Sequence, residues 1–399
     1  MMKKVELLAP AGNLEKAKIA LLYGADAVYV GGKQLSLRAR ASNFDLNDLA
    51  ELAIFAHERG KKVYVTTNII PHDEDMIEID EYLKALEQMK IDAIIVSSPY
   101  IIKRSKTITP HLECHLSTQM STLNRASLDY WFNKGISRVV LAREVTLDEI
   151  KQIASDSPVE LEIFIHGGMC SSYSGRCVLS NYMTMRDANR GGCAHSCRWN
   201  YTLYHDKKAL PGVFNLGSKD LMALDYLEDL LSMNIASLKI EGRMKSAYYL
   251  ATIISSYRML IDAYYQKGRI ETMDLEKAKM EISKAENRLT SSGFYQGIPE
   301  SSGHLYDNRN EEPTKEYIGI VLAYDENKKQ ALIEQRNFFQ VGCEVEFFGP
   351  HLDKVTYQIK QITDALTGEK LQAARHPLQK VLIDVPFKLS THDMMRLQK

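Results

Sequence analysis

Short runs rich in β-branched and aliphatic residues recur along the first two-thirds of the chain, each followed by apolar residues at helical spacing. They predict strands at Val5–Leu8, Ala27–Val30, Val63–Thr67, Ala93–Ser97, Glu113–Ser117, Arg138–Ala142, Leu161–His166 and Ser237–Ile240. The intervening helices are expected at Asn13–Tyr23, Asn47–Arg59, Glu74–Met89, Asn124–Asn133 and Leu147–Ala154. Asn47 reads as an N-cap, and Gly24, Gly60 and Gly135 stand where helices should end. Eight alternating βα units predict an α/β fold of the (β/α)8, TIM-like barrel type, since no glycine-rich dinucleotide fingerprint follows the first strand.

Further on the pattern changes. Ser218–Met233 and Ala247–Gln266 read as closing helices and Leu275–Arg288 as one more. From Tyr317 strict alternation sets in, at Tyr317–Val321, Gln330–Glu334, Glu344–Phe348, Val355–Ile359 and Val381–Val385, which predicts a small all-β barrel or sandwich. The expected organisation is a barrel over residues 1–268, a helix and linker over 269–315, and a β domain over 316–399.

Composition narrows the function classes. The net charge of -1 and pI of about 6.8 predict no whole-surface attraction to nucleic acid or membrane. The N-terminus lacks an apolar signal stretch, and Arg258 and Asp262 interrupt the most apolar helix. The expectation is a cytoplasmic protein whose six cysteines are metal ligands or core thiols.

Four of the six cysteines fall in one place. The seventh predicted strand ends at His166, the next predicted helix begins at Ser218, and residues 167–217 form a long insertion. It carries Cys170, Cys177, Cys193 and Cys197, spaced C-x6-C-x15-C-x3-C. Four thiolates on one loop suit an iron–sulfur cluster or a structural zinc. The wide gaps suit a loop-wrapped cluster better than paired zinc knuckles. Zinc remains the alternative, above all in air-purified protein. From Cys170 to Ser218 six cations (Arg176, Arg186, Arg190, Arg198, Lys207, Lys208) face two anions, interleaved with Tyr173, Tyr182, Trp199, Tyr201 and Tyr204. Guanidinium and aromatic planes bind phosphates and stack unpaired bases. Arg176, Arg186, Arg190, Arg198, Trp199 and Tyr201 are therefore candidate nucleic-acid contacts.

In a barrel of this type function gathers at the C-terminal strand ends. There stand Arg143, Glu144, His166, Glu241 and Arg243, candidates for catalysis, with Arg38 and Arg40 nearby. A zinc-protease helix motif is absent, because His57-Glu58-Arg59-Gly60-Lys61 lacks its second histidine.

Glu162–Cys170, continuing through Ser174–Ser180, resembles the signature of the collagenase-like peptidase family U-32. Leu7–Gly12, His115–Gln119, Leu141–Glu144, Ser218–Leu221 and Lys239–Lys245 match it too, as far as about Gly297. One departure is Gly168, where the family often has Ala or Ser. The resemblance implies a 4Fe-4S cluster on the four cysteines and oxygen-independent hydroxylation of tRNA, ribosomal RNA or ubiquinone precursors. The nearest branch implies conversion of the tRNA wobble uridine to 5-hydroxyuridine with prephenate as co-substrate. A collagenase-like peptidase and a ribosomal RNA hydroxylase are the alternatives. Arg38, Arg40, Arg143 and Arg243 would hold the carboxylates of prephenate. The expected partners are tRNA and that carboxylate, with no membrane; a homo-oligomer or a hetero-oligomer with a paralogue is left open.

Overall fold

The computed structural model describes residues 4–33, 35–37, 43–285, 288–306 and 316–397. They group into two compact units, Met1–Met280 with Arg288–Glu311, and Glu281–Asn287 with Glu312–Lys399.

The first unit alternates strand and helix. Its elements begin β1 (Glu6–Pro10), α1 (Leu14–Leu22), β2 (Ala27–Gly31), α2 (Leu46–His57) and β3 (Lys62–Thr67). Then come α3 (Ile79–Gln88), β4 (Ala93–Val96), α4 (Pro99–Ile108), β5 (Glu113–Leu116) and α5 (Arg125–Phe132). β6 (Arg138–Val140), α6 (Leu147–Ala154) and β7 (Glu160–Gly167) lead into the cysteine insertion. The insertion contains only α7 (Leu179–Thr184), the short strands β8 (Tyr204–His205) and β9 (Lys208–Ala209), and single 3-10 turns. Beyond it lie β10 (Asp220–Met222), α8 (Leu227–Ser232), β11 (Ser237–Ile240), α9 (Ala247–Lys267), α10 (Thr272–Ser283) and β12 (Thr290–Ser291).

β1 to β7 pair in parallel in chain order, and β11 pairs in parallel with both β1 and β7. The sheet closes into an eight-stranded parallel barrel, as the repeat predicts.

Three local expectations need correction. Asp45, not Asn47, caps α2: its carboxylate accepts from Asp48 N at 2.9 Å, and the Asp48 side chain accepts from Asp45 N. Asp45 has the extended backbone from which a side chain reaches the third helical N–H. α4 was not expected, because its Ile-Ile-Lys-Arg-Ser-Lys-Thr-Ile run is rich in β-branched residues. Ser98 caps it and Pro99 supplies a preset first turn. Ser218–Met233 is not one helix, since Asp220–Met222 pairs antiparallel with Gly167 and His166. β7, at eight residues, outruns its neighbours, and β10 satisfies the backbone groups of its free end.

The barrel interior holds charge as well as aliphatic side chains. Arg138 bridges Glu6 (2.6 Å), Glu160 (2.7 Å) and Glu162 (3.3 Å), and Lys239 Nζ lies 2.7 Å from Glu162. Glu162 is fully buried; burial alone would raise its carboxyl, but Lys239 and Arg138 hold it below the ordinary range. Deleting one partner of such a network costs about 3–5 kcal/mol, because a buried charge is left alone.

The second unit is antiparallel and all-β. Its strands are β13 (Tyr317–Asp325), β14 (Gln330–Gln335), β15 (Phe339–Gln340), β16 (Glu344–Gly349) and β17 (Leu352–Gln358). They continue with β18 (Ile362–Asp364), β19 (Lys370–Leu371), β20 (Ala373–Ala374), β21 (Lys380–Asp384) and β22 (Met394–Leu397). The main sheet runs β17-β16-β22-β13-β14-β21-β18-β19 around a core that includes Ile318, Ile333, Phe347 and Val381.

Candidate active site at the barrel mouth

Arg243 follows β11 and crosses the mouth toward β2 and β3. Its guanidinium is 4% exposed and donates to Ser36 Oγ (2.9 Å), Thr66 Oγ1 (3.2 Å) and Asn43 Oδ1 (2.6 Å). All three of these acceptors are neutral groups, and they fix the direction of the guanidinium. Gly31 makes room for it: a Cβ there would lie 2.0 Å from Arg243 Nη2. On the opposite side Arg143 follows β6, with its guanidinium carbon 4.0 Å from the centre of the Phe164 ring. Lys239 sits deeper, 4.4 Å from the centre of the Tyr29 ring, and burial lowers its pKa against the pull of Glu162. Rings, hydroxyls and an amide thus contact these cations, and Lys239 also pairs with Glu162.

Glu144 does something else. Both its oxygens accept from Ser174, one from the backbone N at 2.6 Å and the other from the hydroxyl. Ser174 is buried and has a φ of 47°, in the stretch between Cys170 and Cys177. Glu144 is therefore a clamp on the cysteine insertion. Glu241 N donates to His166 O at 2.8 Å and ties the end of β11 to β7. A Cβ on Gly168 would lie 3.2 Å from Glu241 Oε2, so its carboxylate faces the start of the insertion. That separation is tight, and it shows what a larger residue at 168 would press against.

His166 packs toward α9. Its ring lies 5.6 Å from Tyr257 and 5.9 Å from Tyr249, both on α9, with the Tyr257 hydroxyl 3.4 Å from Nδ1. Burial, with a smaller push from Lys245, drops its pKa to about 3, so the imidazole is neutral at physiological pH.

The four insertion cysteines are half-buried and free of disulfides. Burial pushes the Cys197 thiol up, and the Cys170 and Cys193 thiols stand close enough to add to that effect. Cys177 accepts from Leu179 N at 3.4 Å, and its carbonyl accepts from Asn189 at 2.9 Å. Among the described residues no three His, Cys, Asp or Glu side chains stand in ready metal-binding geometry. The donor chemistry nonetheless fits a thiolate-ligated group, with four free cysteine thiols on the one clamped insertion.

The candidate nucleic-acid contacts divide. Arg190 is committed to Glu74 (2.6 Å) and Asp75 (2.9 Å), and Arg198 to Asp220 (3.3 Å). Tyr201 gives its hydroxyl to Ser196 O at 2.6 Å. Arg176, Arg186 and Trp199 remain exposed, with Arg176 Nη2 3.3 Å from the Met120 sulfur. Arg186 lines a cavity of about 660 Å³ with Lys33, Ser36, Asp187 and Arg190, a volume in the range of small-ligand sites. Arg38 and Arg40 lie outside the described residues. Sequence reasoning missed Ser36, Asn43, Thr66 and Ser174, small polar residues that nothing in the pattern distinguishes from turn formers.

Comparison with known proteins adds four findings. The model of peptidase family U32 matches residues 12–304, and that of its C-terminal domain matches residues 313–396. The chain is 46% identical to tRNA hydroxylation protein P1 of Bacillus subtilis, over 100% of this chain and 96% of that protein. It is 38% identical to the 23S rRNA 5-hydroxycytidine C2501 synthase of Escherichia coli, over 66% of this chain and 40% of that protein. A collagenase of Porphyromonas gingivalis is 28% identical over 92% of this chain and 93% of its own length.

Proposed function

The chain belongs to peptidase family U32, and on that premise we propose that it is a tRNA hydroxylase. The observation that carries this reading is the 46% identity, sustained over the whole chain, with tRNA hydroxylation protein P1. In its finer form the reaction converts the wobble uridine to 5-hydroxyuridine without molecular oxygen and with prephenate as co-substrate.

The residues of the mouth suit an anionic co-substrate. Arg143 and Arg243 approach from opposite sides of the barrel, and forked guanidinium groups bind carboxylates through paired hydrogen bonds. Cys170, Cys177, Cys193 and Cys197 would hold a 4Fe-4S cluster, which supplies one-electron chemistry when bound. Glu144 fixes the loop that carries these thiols, and Glu241 faces the loop's first residues. A neutral, enclosed His166 supports the β7–α9 packing beside them.

The test compares tRNA from cells with and without the gene by mass spectrometry. Loss of 5-hydroxyuridine derivatives from wobble positions is the expected result, and unchanged levels would overturn the reading. Anaerobic purification with iron and sulfide quantitation tests the cluster separately, and zinc in their place would overturn it. The similarity to a collagenase favours a second reading, peptide hydrolysis. Turnover of unfolded collagen by the purified chain is what that reading requires.

A further inference from the structure

Residues 202–212 of the insertion are all exposed. Within them β8 and β9 form a hairpin, Tyr204 opposite Ala209 and His205 opposite Lys208. The turn residues Asp206 and Lys207 have φ of 48° and 63°. Such a turn suits the twist of a two-residue hairpin, but it places a lysine in a backbone region unfavourable for L-residues. An isolated two-stranded hairpin has little stability of its own. This one is held from its root. Tyr201 and Phe214 exchange backbone hydrogen bonds at 2.7 and 3.0 Å, and the Phe214 ring stacks on Tyr306 with centroids 5.5 Å apart. Two residues further on, Leu216 N donates to Cys197 O at 2.7 Å.

The molecule thus fixes the base of a hairpin to the backbone of a cysteine of the candidate centre and leaves its tip in solvent. That tip carries Tyr204, 68% exposed, with His205, Lys207 and Lys208 against the single anion Asp206. We propose that the hairpin is an RNA-contacting prong, with Tyr204 stacking on an unpaired base and Lys207 and Lys208 meeting backbone phosphates. The proposal rests on the tRNA-hydroxylase reading. Charge complementarity favours RNA over a protein partner: an exposed ring beside two lysines at the tip suits a base and its phosphates, while the exposed Leu203 and Leu210 pair toward the root.

Little packs on the tip, so substitutions there should leave folding intact, which circular dichroism and thermal melting verify. The probe is an unmodified tRNA transcript with a wobble uridine, its binding to the full-length protein measured by anisotropy across a salt series. Tyr204→Ala should weaken binding roughly tenfold, while Tyr204→Phe keeps it. The double variant Lys207→Glu, Lys208→Glu should reduce the log–log salt slope by about 1.4, the loss of two single-strand phosphate contacts. Wild-type affinity and slope in both the Tyr204→Ala and lysine variants would overturn the prong and leave the hydroxylase reading standing. A wild-type protein that neither binds nor hydroxylates tRNA would overturn both. Wild-type RNA affinity combined with loss of a stoichiometric protein partner would make the hairpin a protein-docking element instead.

Discussion

Asp393 is 1% exposed, and its Oδ2 accepts from Ser390 N at 2.7 Å. Burial pushes its carboxyl up to about 6 despite that hydrogen bond. The unfolded chain releases this proton near the ordinary value of 3.8, so between the two values the folded state binds more protons. Stability from this group is therefore present at acid pH and lost as pH rises through about 6. Asp393→Asn removes the ionisation and is expected to stabilise the second unit by about 1 kcal/mol at pH 8. At pH 4 it should bring little gain. Thermal melts at the two pH values check this, and an equal effect at both would contradict it. Nothing in the sequence marks Asp393, because its shift comes from strands that fold over it from elsewhere in the chain.

The cysteine insertion is the element on which the candidate site depends, and its attachment to the barrel is local. The two hydrogen bonds from Ser174 to Glu144 join it to the end of β6. Bonds to a charged acceptor contribute about 1.5–3 kcal/mol each. Glu144→Ala should therefore loosen the stretch between Cys170 and Cys177 while the barrel keeps its melting temperature. Tryptic cleavage after the exposed Arg176 should speed up roughly tenfold or more, and Glu144→Gln, with one acceptor oxygen left, should fall between. Equal cleavage in all three proteins would show that the clamp is incidental. The insertion itself was legible as a long cysteine-bearing gap after β7. Its clamp was not, since a glutamate at a strand end reads equally as a proton donor. For Arg190 and Arg198, likewise, sequence shows a cation but not the carboxylates of Asp75 and Asp220 that meet it.

In the whole molecule the second unit takes a segment from before the linker. Arg396, 2% exposed, bridges Glu346 and, at 2.8 Å, Glu281 near the end of α10. Burial would raise the Glu281 carboxyl, but hydrogen bonds from Lys284, Lys354 and Arg396 hold it at about 2. A fragment beginning at Glu316 lacks Glu281, whereas one beginning at Thr272 retains it. The longer fragment should be the more stable by about 2 kcal/mol in urea titration at pH 7. Equal midpoints would show that the buried arginine needs only Glu346. Among the described residues no helix is long and apolar enough to cross a membrane.

The sequence by itself determined the barrel strands, the helices around most of them, the change to β structure near Tyr317, and the cysteine loop as the unusual feature. These follow from local periodicity and from spacing within one segment, which a linear reading captures. Tertiary structure alone decided which charged residues remain available. It set Arg243 among Ser36, Asn43 and Thr66, turned Glu144 into a clamp, enclosed His166 against α9, and committed Arg190 and Arg198 to acids distant in the chain. One of the four insertion cysteines, Cys197, also ties down the root of an exposed hairpin through its carbonyl. The physical reason is the same in each case: a charge acts according to what surrounds it, and its surroundings are assembled only when distant segments meet.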